Sequence, residues 1–466
     1  MFRAGSAALI VASMVLSAVV QAQVQAPGSP VGPDEGDWRA EWYARRNVLV
    51  ESNPKLTVDP GSILVQFHPA STLAAREGAL ARMGGRTIRT WSLVPGLHHV
   101  AVSRPVGESL RALQLAALVD QSPVIYAEPD SLARLGATPN DTYYSLLWGL
   151  NNTGQTVNRD RGTANADIDA DLAWDVITGG NVAVGMADSG IRASHEDLAA
   201  NRWTNPGEIA GNGLDDDGNG YVDDTWGWDF WNNDNNPSDD NGHGSHTAGT
   251  VGAAGNNGKG VVGVCWSVRL AGLKIGSASG SVSISAAIGS LDYCVGKGIR
   301  LSNHSWGGGS FSAALNSAIS AAQAAGHLLV CAAGNGGADG RGDNNDALPH
   351  YPSSYAQDNI ISVAAIDNDN KLAKFSNYGA TSVDVGAPGV TIASCYNSSD
   401  AAYVYMNGTS MATPHVTGVA ALVWAQNPGW TYSQVRSKIL SSVKPVAALA
   451  GKSATGGCVN ANNAVR

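Results

Sequence analysis

From residue 182 onward the chain alternates short, nearly continuous apolar runs with stretches of small residues. The runs fall at 182–187, 268–275, 299–303, 328–333, 360–365 and 383–387. A strand buried on both faces reads as an unbroken hydrophobic segment, so this pattern predicts an α/β fold: a mostly parallel central sheet with helices on both faces. Ligands of such sheets bind beyond the carboxyl ends of the strands. The polar residues that close these runs, Asp188, His304-Ser305 and Asn335, are therefore expected along one edge.

The pattern upstream is different. Residues 63–67 and 98–102 have strand composition, Leu110, Leu113 and Leu118 recur at helical spacing, and 124–129 reads as a closing strand. These segments predict a small α+β domain over 61–137, followed by the larger α/β domain over 138–466. Residues 23–60, rich in Pro, Gly and charge, read as a poorly ordered lead-in. Residues 1–22 read as a secretory signal: Arg3, an apolar run over 7–20, and a small-residue site at Val20-Gln21-Ala22. The run is short for a spanning helix, so the expectation is export without stable membrane anchoring.

Charge narrows the range of partners. Residues 23–137 carry 11 acidic and 11 basic side chains, and 138–466 carry 28 acidic against 17 basic. An acidic surface repels nucleic acid and anionic membrane but suits cations. Five cysteines, Cys265, Cys294, Cys331, Cys395 and Cys458, allow at most two disulfides, and spacing does not choose among the pairings. Cys265 and Cys331 lie in apolar runs, where a buried thiol fits as well as a bond.

The sharpest local signal is Asn407-Gly408-Thr409-Ser410-Met411-Ala412-Thr413-Pro414, which leads into a small apolar run. It places a serine at the start of a buried helix, where free N–H groups and the helix dipole favour negative charge on a substrate oxygen. Serine is a weak nucleophile and needs a base. His243, in Asn241-Gly242-His243-Gly244-Ser245-His246, is suited to take and return its proton. Asp188, closing a buried strand, can fix the imidazole tautomer. His246 reads as a packing residue, since the glutamate of a His-Glu-x-x-His zinc pattern is replaced by Gly244.

These three segments, in the order Asp, His, Ser, resemble the signatures of the subtilisin-like serine proteases (subtilases), and the resemblance spans residues 139–466. It implies that Asn335 donates to the oxyanion, that Ser305, Trp306 and Gly307 form the edge that pairs with an extended peptide, and that Gly334 and His350 line the primary specificity pocket. A histidine at 350 departs from the small residue often found there. The domain over 61–137 resembles the family's inhibitory prodomain, a partner removed by cleavage between residues 130 and 140. A monomer acting on protein or peptide substrates is expected.

Calcium is the expected cofactor. Asp215, Asp217, Asn219, Asp223 and Asp224 place carboxylates and an amide at alternating positions around Gly220, as in the first half of an EF-hand loop, although Trp226 stands where the closing glutamate belongs. By resemblance, Asp141, Asp197 and the loop 256–261 form a second site, with Asp229 and Asp234 as weaker candidates. The competing function is a catalytically inactive subtilisin-like module that binds calcium and peptides. Esterase activity is a side reaction of the same machinery.

Overall fold

The structure, a computed structural model, describes residues 58–117, 122–132 and 136–466, together with 42 and 44–46. The signal reading of 1–22 and most of the lead-in over 23–60 lie outside the described residues. The chain divides into two compact units, Met1–Leu135 and Gly136–Arg466.

In the first unit, strands β1 (Val58–Phe67), β2 (Gly85–Thr90), β3 (Leu97–Val102) and β4 (Val124–Ser131) form an antiparallel sheet in the order β2-β3-β1-β4. Helices Leu73–Arg82 and Val106–Ala117 complete a split β-α-β arrangement. Ile63, Val65 and Phe67 alternate along β1 onto one face, where they meet Leu80, Val100 and Leu110. Trp42 is buried against Ile88 and Ala101.

The second unit begins with a two-stranded ribbon, β5 (Thr156–Val157) and β6 (Asp160–Arg161). Its main sheet contains β7 (Gly179–Asp188), β8 (Gly227–Asp229), β9 (Ser267–Lys274), β10 (Leu301–His304), β11 (Leu328–Ala332), β12 (Ile360–Ile366) and β13 (Val385–Pro388). After the hairpin β14 (Ile392–Tyr396) and β15 (Ala402–Met406), two further sheet strands follow, β16 (Lys444–Pro445) and β17 (Gly457–Cys458). The order is β16-β17-β13-β12-β11-β10-β7-β9-β8, and every pair is parallel except β16 with β17.

Successive strand residues serve different cores. Met186 and Val330 join one cluster with Val251 of helix His243–Gly252 and Val416 of helix Thr409–Gln426. Their neighbours Ala187, Leu329 and Cys331 join a second cluster with Leu291 of helix Ile284–Gly296 and Ile319 of helix Ala313–Ala324. Both faces of the sheet are therefore covered, which is the α/β architecture that the apolar runs predict. The helix Thr409–Gln426 is buried almost throughout. No helix among the described residues is long and apolar enough to cross a membrane. All five cysteines are buried, unpaired thiols.

Candidate active site

Asp188 ends β7 and is only 4% exposed. Its Oδ1 accepts from His243 Nδ1 at 2.7 Å and from the Ser189 N–H at 2.8 Å, and its Oδ2 accepts from Thr247 Oγ1 at 3.1 Å. Every lone-pair direction that matters is thus occupied by a donor on a regular element or beside one. His243 opens the helix His243–Gly252, and Thr247 stands one turn further on the same face. Gly244 allows the close approach, because a Cβ there would run into the Gly190 carbonyl.

Burial opposes charge on His243. The Asp188 carboxylate, by charge and by hydrogen bond, and Asp239 at longer range outweigh it, so the imidazole's pKa is raised above its ordinary value. His246 differs: it is fully buried, bonded to the Ile392 carbonyl at 2.9 Å, and pushed down to about 3 by burial and by His243.

Ser410 is the second residue of helix Thr409–Gln426. Its hydroxyl donates to the Ser305 carbonyl at 2.9 Å, while Ser305 Oγ donates back to the Ser410 carbonyl at 2.9 Å. Pro414 explains the second bond. An ordinary residue at 414 would use its N–H on the Ser410 carbonyl, and proline has none to give. Asn303 Nδ2 donates to Ser305 Oγ, and Thr417 Oγ1 donates to Asn303 Oδ1, so β10 and the serine helix are laced together. Asn335 follows β11; its Oδ1 accepts from the Thr409 N–H at 2.8 Å and from Thr409 Oγ1 at 3.0 Å. The amide NH2 is thereby the end left to donate.

The His350 ring lies between two backbone walls. A Cβ on Gly307 would overlap its Cε1, and one on Gly334 would come within 2.8 Å of its Cδ2. Its Nδ1 is buried without a hydrogen-bond partner. Burial lowers its pKa, against the pull of Asp343. Trp306 packs edge-on to His304 with ring centroids 5.9 Å apart.

The two acidic sites are built differently. At the first, Asp141 Oδ1 is buried with no hydrogen-bond partner, and burial together with the charge of Asp197 raises its pKa. Asp197 accepts from Asn257 Nδ2, the Val261 N–H and Tyr403 OH, each at 2.8 Å. An orphaned carboxylate oxygen beside a second carboxylate fits a hard cation.

In the loop after Asn205, the residues read from the sequence do not all converge. Asp215 and Asp217 come together with Glu208, each offering an oxygen within 4.8 Å of the others. Asp223 instead accepts the N–H groups of Asn212 and Gly213. Asp224 is buried and accepts from Asn205, Asn219 and Tyr293. Lys297 pairs with Asp217. Asp229 caps the N–H groups of Trp231 and Asn232, and Asp234 that of Asn236.

Sequence reading missed Glu208, Ser189, Thr247 and Asp239. Only Thr247 carried a usable signal, its helical spacing from His243.

A model of the Subtilase family matches residues 179–460. Subtilisin DY of Bacillus licheniformis is 39% identical over 264 residues, 57% of this chain and 84% of its own length. Thermitase of Thermoactinomyces vulgaris is 33% identical over 329 residues, covering 71% and 99% respectively. The thermophilic serine proteinase of Bacillus sp. (strain AK1) is 32% identical over 368 residues, 78% of each chain.

Proposed function

Because the chain belongs to the subtilase family of serine proteases, we propose that it is a secreted endopeptidase acting through Asp188, His243 and Ser410, made as a self-processed precursor. One observation carries the reading: the 2.7 Å bond from His243 Nδ1–H to a buried carboxylate, at the sheet edge where a serine opens a buried helix. In the reaction, Ser410 Oγ leaves the Ser305 carbonyl and turns to His243 Nε2, which takes its proton as Oγ attacks the scissile carbonyl. The bond to Asp188 holds the tautomer and stabilises the imidazolium. The Asn335 NH2 and the first N–H groups of the serine helix receive the oxyanion. The imidazolium then protonates the leaving amine, and water, activated by the same base, releases the acyl group.

The edge at Ser305, Trp306 and Gly307 pairs with extended substrate, and Gly334 and His350 bound the pocket for the side chain before the cut. The unit over 61–137 acts as inhibitory prodomain, released by cleavage between residues 130 and 140, a range partly outside the described residues. Calcium would be held by Asp141, Asp197 and the 256–261 loop, and by Asp215, Asp217 and Glu208. Its chemistry there is structural, neutralising carboxylates that the fold brings together.

The inactive-module reading draws on one fact, that the Ser410 hydroxyl is bonded to Ser305 and not to His243. A fluorophosphonate probe decides between them. The protease reading requires labelling of the full-length chain that Ser410→Ala abolishes, together with loss of casein hydrolysis and of precursor processing. An unlabelled wild-type chain supports the inactive module.

A further inference from the structure

The helix that begins with His243 is capped by side chains that lie outside it. Gly242 occupies the cap position with φ 103° and has no side chain to offer. The first-turn donors are satisfied one by one: His243 N–H on Asn241 Oδ1 at 3.2 Å, Gly244 N–H on Ser189 Oγ at 2.9 Å, and Ser245 N–H on Asp239 Oδ2 at 2.9 Å. Asp239 collects most of the rest. Its Oδ1 accepts from Ser189 Oγ at 2.8 Å, Asn241 N–H at 3.0 Å and Gly242 N–H at 2.8 Å, and its Oδ2 accepts Ser245 Oγ at 2.6 Å.

Ser189 directly follows Asp188, the residue that holds the imidazole. One carboxylate therefore ties the end of β7 to the start of the helix, the two elements whose separation sets the Asp188–His243 bond. All five of its partners are donors, so an amide in its place would turn an NH2 against at least one of them.

The charges around the imidazole have also been placed by the fold. Asp188 is in contact, Asp239 stands further back, and His246 one turn along is buried. Lys274, paired in register with Asp188 on the next strand, is answered by Asp240 at 2.6 Å and Asp229 at 3.7 Å. Asp239 is thus a second negative charge near His243, in addition to Asp188, held there by its bonds to Ser189, Gly242 and Ser245.

The geometry points to Asp239 as a positioning residue: its carboxylate fixes the imidazole against Asp188 and supplies a second negative charge that favours the imidazolium. This rests on the protease reading above. The test compares wild type, Asp239→Asn, Asp239→Glu and Ser189→Ala, each expressed as the full chain, titrated with fluorophosphonate and assayed across pH. In Asp239→Asn, kcat falls roughly 10- to 100-fold with KM changed less than about twofold, as expected of a misplaced catalytic group. The acidic limb of its kcat/KM profile moves to lower pH, because an imidazole with one fewer negative neighbour loses its proton more readily. Asp239→Glu and Ser189→Ala keep the charge and disturb the clamp, so kcat falls while the limb stays.

A purely structural residue would leave the limb in place in all three. An unmoved limb in Asp239→Asn overturns the electrostatic half, and kcat within about twofold of wild type overturns the positioning half. If Asp239→Asn does not fold, normal kcat in both charge-keeping variants overturns the proposal. Failure of wild type to label sinks the protease reading itself; active wild type with normal variants sinks only this inference.

Discussion

At the rim of the main sheet, Asp188 is 4% exposed and each of its oxygens is filled by a donor fixed to a strand end or a helix. In the loop after Asn205, Glu208, Asp215, Asp216 and Asp223 lie at or near the surface, bonded to backbone N–H groups of the loop itself, and the exposed Asp217 accepts from the side chains of Asn205 and Lys297. Glu208 Oε2 is buried without a partner, and burial raises that carboxyl's pKa. Both regions concentrate negative charge, but the fold gives donors to both oxygens of Asp188, whereas in the loop Lys297 answers Asp217 and Glu208 Oε2 is left without a partner. A site whose donors are built into rigid elements spends its electrostatics on the transition state, whereas one short of positive charge depends on what solution supplies. Damage at the rim should therefore appear in kcat, and damage in the loop should appear in stability.

The largest effect tests the rim. Asp188→Asn keeps the volume but presents an amide to the imidazole, so on the proposed mechanism the tautomer that would accept the Ser410 proton is lost. We expect kcat to fall about 10⁴-fold. KM and the circular dichroism spectrum should change little. A Tm loss out of proportion to the loss of kcat would show that Asp188 serves mainly to hold the fold, and the contrast would collapse.

Acid tests the same elements through stability. His246, His304, His327 and His415 are buried on or beside the strands and helices that carry the rim, with pKa values pushed down by burial to about 3, 3, 4 and 4. Ser302 Oγ joins the Nε2 atoms of His304 and His327, at 2.7 and 2.6 Å. Between these values and 6.5 the unfolded chain binds more protons than the folded one, so stability rises with pH there. It is complete above about pH 6.5 and is lost as pH falls toward 4, each histidine contributing up to about 1.4 kcal/mol per pH unit. His243, with its pKa raised, contributes with the opposite sign, being most stabilising below pH 6.5. Urea denaturation in calcium-saturated buffer at stepped pH measures the slope. A flat profile between pH 6.5 and 5 would mean that these rings take up protons without unfolding.

How far these features were legible depends on how local their causes are. Buried parallel strands advertise themselves, because nothing polar fits between two helical layers; the run at 299–303 reappears as β10, Leu301–His304, displaced by two residues and one. Asp188, His243 and Ser410 were legible because the first closes such a strand and the other two lie at the start of buried, small-residue helices. Asp239 was not: in Asp234 through Asp240 it is one carboxylate among several, and its role comes from a turn that folds it back under the helix. The acidic loop misled for a similar reason. Its spacing suggested five converging oxygens, but Gly213, Gly218 and Gly220 take positive φ and coil the chain, turning Asp223 back onto Asn212 and Gly213. Glu208, seven residues before Asp215, entered the cluster by that same coiling.

The loop supplies the smallest and most discriminating effect. If Glu208, Asp215 and Asp217 hold calcium, saturation at a hundred times Kd stabilises the folded chain by about 2.7 kcal/mol, and Glu208→Gln removes most of that share. The variant should melt earlier than wild type in calcium and close to it in chelator, because without the cation the amide relieves crowding among carboxylates. The site at Asp141 and Asp197 stays intact in this variant, so a calcium-dependent rise in Tm should persist, only smaller. Turnover measured well below the melting range should match wild type in both buffers, since the hydrogen bonds that hold the Asp188, His243 and Ser410 side chains run to Ser189, Thr247, Ser305 and one another, not to the loop. Equal Tm shifts in wild type and Glu208→Gln would remove calcium from this loop. A fall in kcat at unchanged Tm would instead mean that the loop reaches the rim, by way of Asp229, Lys274 and Asp240, and that the two regions are not independent.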